Sequence, residues 1–287
     1  MWVVFGLLSA FVESLKDLAA KRALRELDVD AVGLANPLFA LPVLIIYCWG
    51  VKFTEISTTA LLVLLITSSI HVLALSLYFE AIRVSPLSVT LPMIAFTPLF
   101  MMLTSPIIAG EMGNLWGGIG MVLIVLGTYM LNLKARATGW FGPFAALLQE
   151  RGARLMLGVA ALWSITGNLD RIGLRSVPKQ LWVTMLCALI TLGFLLVLRV
   201  KGRLRGVFTR RYLTYGALVG TFNGLSLIFY FEAISLAMVG YVVAIKRFSI
   251  VLGVLFGYFL YQEESIRERL FGALVMLVGV ALISTAG

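Results

Sequence analysis

The sequence predicts an all-α membrane protein in which ten transmembrane helices form two inverted five-helix repeats, and three observations carry that prediction. Hydrophobic residues make up 61% of the 287 residues and charged residues 13%, with a mean hydropathy of +1.01. Soluble domains hold about 45–50% apolar and about 25% charged residues, so this chain is suited to lipid. The apolar residues also fall into ten runs, each near the about 20 residues that a helix needs to cross a hydrocarbon core about 30 Å thick. Finally, Tyr78-Phe79-Glu80-Ala81-Ile82 returns 152 residues later as Tyr230-Phe231-Glu232-Ala233-Ile234, and the same offset carries Phe96 to Phe248, Glu111 to Glu263, Gly120 to Gly272 and Gly127 to Gly279. A duplicated unit with an odd number of crossings must insert its two copies in opposite orientations, as secondary carriers do.

Taken in order, the first unit (residues 1–133) is read as spans over Trp2–Ala23, Ala31–Val51, Thr58–Ile82, Ser88–Ala109 and Leu115–Leu133. A connector over 134–154 follows. The second unit (155–287) is read as Leu155–Leu174, Gln180–Leu198, Tyr212–Ile234, Val239–Tyr261 and Leu270–Ser284. The alternating polarity that a membrane β-barrel requires is missing from these runs. The first span lacks a basic start and carries Glu13, Lys16 and Asp17, so it is expected to stay in the mature protein rather than to act as a cleaved signal. Cys48 and Cys187 sit inside spans without disulfide or metal-ligand spacing and read as small buried side chains.

The net charge of +9 does not point to nucleic acid, because the basic residues are dispersed among loops rather than gathered into a soluble domain. Sixteen Lys and Arg follow odd-numbered spans and three (Lys52, Arg175 and Lys179) lie on the other side. Positive residues accumulate on the cytoplasmic face. The expected topology is therefore a multi-pass protein of the cell (inner) membrane, with the connector inside and both termini outside. Within the connector, Trp140, Phe141 and Phe144 beside Gly139, Gly142 and Pro143 read as a passive link along the lipid interface.

Pro86, Pro92, Pro98 and Pro106 lie in or beside the fourth span and predict a bent helix, since each removes a backbone donor. The ninth span has no proline and offers Gly253 and Gly257; the eighth carries Gly216, Gly220 and Gly224. Both sets read as close-packing devices.

Charges inside the spans are the most informative residues, because each costs about 2.5–3.5 kcal/mol at a helix centre on insertion scales. Lys246 and Arg247 stand seven and eight residues beyond Val239, about 100° apart around a helix. Two readings stand: an ion-pair network with Glu13, Asp17 or Asp170, or a socket for the negative group of a substrate, which a guanidinium fork and an ammonium both suit. In the first span Glu13, Lys16 and Asp17 continue a polar stripe through Ser9 and Gly6. Glu13 is the candidate proton-coupling carboxylate, with a structural salt bridge to Lys16 as the alternative.

The third and eighth spans carry matched ladders, Thr67, His71 and Tyr78 against Asn223, Ser226 and Tyr230, and His71 falls on Asn223 at the repeat offset. His71, Tyr78, Asn223 and Tyr230 are read as substrate contacts beside Lys246 and Arg247; a hydrogen-bonded structural histidine is the plainer alternative for His71. Glu80, Glu232, Glu111 and Glu263 lie near span ends and read as interface anchors or helix-start groups.

The Tyr-Phe-Glu-Ala-Ile repeats, Phe96-Thr97-Pro98-Leu99-Phe100, and Glu111 and Glu263 ahead of glycine-bearing spans resemble the drug/metabolite transporter superfamily, in particular ten-helix carriers built from two EamA-type units. The resemblance covers the whole chain. It implies a central pocket among spans 3, 4, 8 and 9 with spans 1 and 6, and alternating access by rocking. Lys246-Arg247 looks like the pair with which plastid phosphate translocators hold phosphate, although Ile94 occupies the place of their fourth-span lysine. Glu13 and Lys21 resemble the layout of the small multidrug resistance group, from which Lys16 and Thr166 depart.

The expected function is secondary active transport of a small anionic or zwitterionic metabolite through a central pocket, with protons or a counter-substrate as possible partners. The alternative is a proton-coupled exporter of amino acids or cationic drugs that uses Glu13. No P-loop, metal-ligand or nucleophile pattern is present in the sequence, so neither an enzyme nor a cofactor is expected.

Overall fold

The computed structural model describes residues 1–52, 55–85, 87–130, 149–252 and 266–286; most of the connector, Gly253, Gly257 and Glu263 lie outside them. The first span is one helix, Trp2–Ala23, whose 22 residues reach about 33 Å at 1.5 Å per residue. The second is broken. It runs as Val29–Leu38 and Leu41–Tyr47, because Pro42 offers no N–H to the carbonyl of Leu38 and the chain turns at Phe39 and Ala40.

Thr58–Val84 forms the third span; the Ser57 hydroxyl caps it by accepting the Ala60 N–H at 3.2 Å. It ends at Ser85, which is extended, the conformation favoured in the residue before a proline. The fourth span is bent as its prolines require, with helices Leu87–Ile94 and Thr97–Ile108 separated by a turn at Ala95 and Phe96. Leu115–Met130 is the fifth.

In the second unit the sixth span begins at Arg151, inside the stretch read as connector, and runs to Gly173. Lys179–Val200 is the seventh and is unbroken. After a short helix, Leu204–Val207, the eighth covers Arg210–Ile234, capped by Thr209. The ninth, Val239–Lys246, turns at Arg247 and Phe248 before helix resumes at 249–252. These turning residues lie 152 positions after Ala95 and Phe96, so the break recurs in both units although only the first has a proline there. Ile266–Ala286 is the tenth.

The fifth and tenth spans show the inversion directly. Gly120 corresponds to Gly272 and Gly127 to Gly279, yet Gly120 lies against Gly279 and Gly127 against Gly272. Equivalent residues meet crosswise only if the helices are antiparallel. A methyl on Gly120 would sit 2.7 Å from the Gly279 carbonyl oxygen, and one on Gly127 2.6 Å from that of Gly272; glycine here permits close backbone approach. The other contacts obey the same two-fold exchange. The first span packs on the eighth as the sixth packs on the third, and the ninth packs on the first as the fourth packs on the sixth. Even helix ends correspond: Lys21 Nζ donates to the Ile82 carbonyl at 2.7 Å and Arg171 Nη1 to the equivalent Ile234 carbonyl at 2.5 Å, each placing a cation on a helix C-terminus.

Polarity is arranged inside out. Ile66, Leu103, Ile107, Leu196 and Val278 are exposed, whereas Glu13, Lys16, Asp17, Asn168, Asp170 and Arg247 are buried. A soluble protein would not leave so much large apolar surface uncovered. The second, third, seventh and eighth spans are long and apolar enough to cross a membrane on composition alone. In the first, buried charges lower the hydropathy, and in the sixth buried Asp170 and half-buried Arg171 do so.

Candidate functional site

The polar residues of the first span reach the third and eighth spans and Lys246 at the break of the ninth. Ser9 and Ser226 fasten the first span to the eighth, with the Ser9 hydroxyl donating to the Ser226 carbonyl at 3.0 Å. One turn on, Glu13 receives three groups: Lys16 Nζ at 2.7 Å on Oε1, and on Oε2 the Ser226 hydroxyl at 2.8 Å and Lys246 Nζ at 3.4 Å. Lys16 also reaches Asp17 Oδ1 at 3.3 Å, and the Tyr78 hydroxyl donates to that oxygen at 2.6 Å. Equivalent tyrosines support the two lysines, Lys16 Nζ standing 5.1 Å from the Tyr78 ring centroid and Lys246 Nζ 5.0 Å from that of Tyr230. By formal charge, Glu13 and Asp17 balance Lys16 and Lys246.

Arg247 is handled differently from its neighbour. Its side chain turns toward the fourth span, where Nη2 donates to Thr97 Oγ1 at 3.2 Å, and its guanidinium carbon lies 5.8 Å from the Trp163 ring centroid. Arg247 is only 5% exposed, its Nε has no hydrogen-bond partner, and no carboxylate among the described residues comes within 4.0 Å of it. Asp170, 3% exposed, accepts one hydrogen bond, from Trp182 Nε1 at 2.9 Å.

Between these groups lies a cavity of about 110 Å³, walled by Glu13, Lys16, Lys246, Arg247, Asp170, His71, Asn223 and Tyr230 together with Asn36, Thr97, Trp163 and Thr166. At about 30 Å³ per water molecule of liquid, it has room for a few waters or a small solute in this conformation. Four buried polar atoms of its walls lack a partner among the described residues: Arg247 Nε, His71 Nε2, Trp163 Nε1 and Asn36 Oδ1. Buried polar atoms are nearly always satisfied, and their clustering around one cavity marks a place built for a polar guest.

Of the residues singled out in the sequence, Lys246, Arg247, His71, Asn223, Tyr230 and Glu13 meet at this cavity. Tyr78 stands behind it, bound to Asp17. The two readings of the Lys246-Arg247 pair are divided between its members, since Lys246 joins an ion-pair network with Glu13 while Arg247 has no acidic partner among the described residues. Asp17 and Asp170 make no ion pair with either member. Sequence reasoning passed over Asn36, Thr97 and Trp163. Asn36, a lone amide before Pro37 in an apolar span, was the readable signal among them.

Glu111 stands ahead of the fifth span in the sequence but binds at the start of the ninth: Oε2 accepts the Val239 N–H at 3.3 Å and Oε1 receives Arg171 Nε at 2.5 Å. Glu232 binds Lys179 at 2.6 Å and Glu80 binds Arg83 at 2.7 Å. These carboxylates fix helix ends away from the cavity. No group of three or more His, Cys, Asp or Glu with metal-binding geometry occurs among the described residues.

A polar cavity enclosed by two inverted helical repeats, each with a broken helix at the site, is the architecture of a membrane carrier. The EamA-like transporter family matches residues 1–133 and 150–285, and the chain belongs to that family, making it a multi-pass membrane transporter. A solved structure titled "Crystal structure of protein" has the same fold, with a TM-score of 0.77 and 16% identity over 100% of this chain and 99% of that one. No curated protein matches the sequence.

Proposed function

We propose that this protein is a secondary active carrier that moves a small anionic or zwitterionic metabolite by alternating access through the central cavity, with Arg247 engaging the negative group. The supporting observation is the buried guanidinium of Arg247, which among the described residues has no carboxylate beside it and no partner for its Nε. Keeping such a cation out of water costs several kcal/mol, and an incoming carboxylate or phosphate offsets that cost with charge-assisted hydrogen bonds. Trp163 Nε1 and His71 supply further contacts, and Asn36 Oδ1 accepts from a donor on the same solute. Lys246 sets the positive potential around the site but spends its charge on Glu13. Two ammonium groups on Glu13 also weaken the alternative in which that carboxylate binds cationic drugs. The excess of Lys and Arg in one set of loops supports insertion in the cell membrane with both termini outside.

Thermal unfolding of the purified protein across carboxylates, phosphates, zwitterions and cations tests this reading, because a solute that binds the folded state raises the unfolding temperature. Anionic or zwitterionic compounds should stabilise the wild type and lose that effect in Arg247→Ala. Stabilisation by cations alone would overturn the proposal.

A further inference from the structure

We propose that Asp170 is the residue that takes up and releases a proton during the transport cycle, a role that rests on the carrier reading above. The repeat shows why Asp170 stands apart. It corresponds to Asp17 in the first unit, but Glu13 and Lys16 are replaced around it by Thr166 and Leu169. Asp17 consequently keeps Lys16 at 3.3 Å and a tyrosine hydroxyl at 2.6 Å, whereas among the described residues the Asp170 carboxylate keeps the Trp182 N–H alone. No Lys, Arg or His nitrogen among the described residues pairs with it within 4.0 Å.

The surroundings neither lock Asp170 as an anion nor shut it away. From the seventh span Trp182 and Cys187 face it, and from the eighth Tyr230, all three uncharged in their ordinary forms. On its own span Arg171 is committed to Glu111 and to the Ile234 carbonyl. Arg247, Lys246, Lys16, Glu13 and His71 share the cavity wall with it, and Glu13 already holds both lysines. Asp170 borders the cavity, so a proton that reaches the cavity meets a carboxylate with no cation paired to it among the described residues. Glu13, gripped by two ammonium groups, is a positioning residue for the site rather than the proton carrier.

Infrared difference spectroscopy of substrate-free protein between about pH 5 and pH 9 tests this, the range in which a useful proton carrier must titrate. A protonated-carboxyl C=O band should appear on acidification in the wild type and vanish in Asp170→Asn. Labelling aspartate with ¹³C at the carboxyl carbon should shift the wild-type band, which separates it from every glutamate even if the Asp170 variant folds poorly. A band unmoved by the label, retained in a folded Asp170→Asn or absent from the wild type overturns the assignment. Because no substrate is added, a failed titration leaves the carrier reading intact, and a failed solute screen leaves the titration interpretable.

Discussion

Lys246 Nζ lies 3.4 Å from Glu13 Oε2, tying the broken ninth helix to the middle of the first and joining the two repeats across the cavity. Lys16 holds the other carboxylate oxygen at 2.7 Å, so Glu13 is the centre of a buried network rather than half of a pair. Removing the centre should cost far more than removing one arm. Glu13→Gln leaves two lysines short of a partner and should destabilise the protein by about 3–5 kcal/mol, the usual effect of stranding a buried charge. Lys246→Met leaves Glu13 with Lys16 and should cost less. The double variant should recover part of the loss, a coupling of about 0.5–3 kcal/mol in a double-mutant cycle of unfolding free energies.

Tyr78 and Tyr230 are equivalent in the repeat, yet their hydroxyls have different duties. Tyr78 donates to buried Asp17 at 2.6 Å, whereas Tyr230 borders the cavity and carries Lys246 over its ring. Tyr78→Phe should lower stability by about 1–3 kcal/mol through the lost charge-assisted hydrogen bond while sparing solute affinity. Tyr230→Phe should do the reverse, leaving unfolding nearly unchanged and shifting the solute concentration needed for half-maximal stabilisation.

Much of this arrangement was legible in the sequence because it rests on length, periodicity and repetition. The third and eighth spans read from the sequence end within two residues of their observed ends, and the four prolines in or beside the fourth predict its bend. The second-span break at Phe39 and Ala40 was less visible, although Pro42 causes it, because the apolar run continues through it. The ninth-span break has no local signature, and it matters most. By turning the chain at Arg247 it sends two adjacent cations to different partners, one to Glu13 and the other to Thr97. Helical spacing alone treats them as a unit. Thr97 and Trp163 gain significance only when tertiary packing brings their polar atoms, with that of Asn36, to one cavity.

Arg247 should show a trade between stability and binding. A buried guanidinium with no carboxylate beside it among the described residues is a cost in the empty protein, so Arg247→Met should leave the substrate-free unfolding temperature unchanged or raise it, as happens when strained functional groups are removed. The same variant should lose stabilisation by anionic or zwitterionic solutes. Arg247→Lys should retain part of it, since charge survives but the planar fork does not. Differential scanning fluorimetry with and without solute separates the two effects.

The seam between the fifth and tenth spans offers a test of the inverted packing that is independent of the cavity. A methyl on Gly120 would meet the Gly279 carbonyl at 2.7 Å, and backbone cannot swing aside as a flexible side chain does. Gly120→Ala should therefore destabilise by about 1–3 kcal/mol through overpacking. Gly279→Ala should behave alike, with 2.6 Å to the Gly120 carbonyl. Gly158, also helical but with no neighbouring atom within 4 Å of the position a methyl would take, is the control: Gly158→Ala should gain about 0.5–1 kcal/mol from reduced backbone entropy. If all three substitutions moved the unfolding temperature alike, the crosswise contact of the two repeats would lose its physical basis.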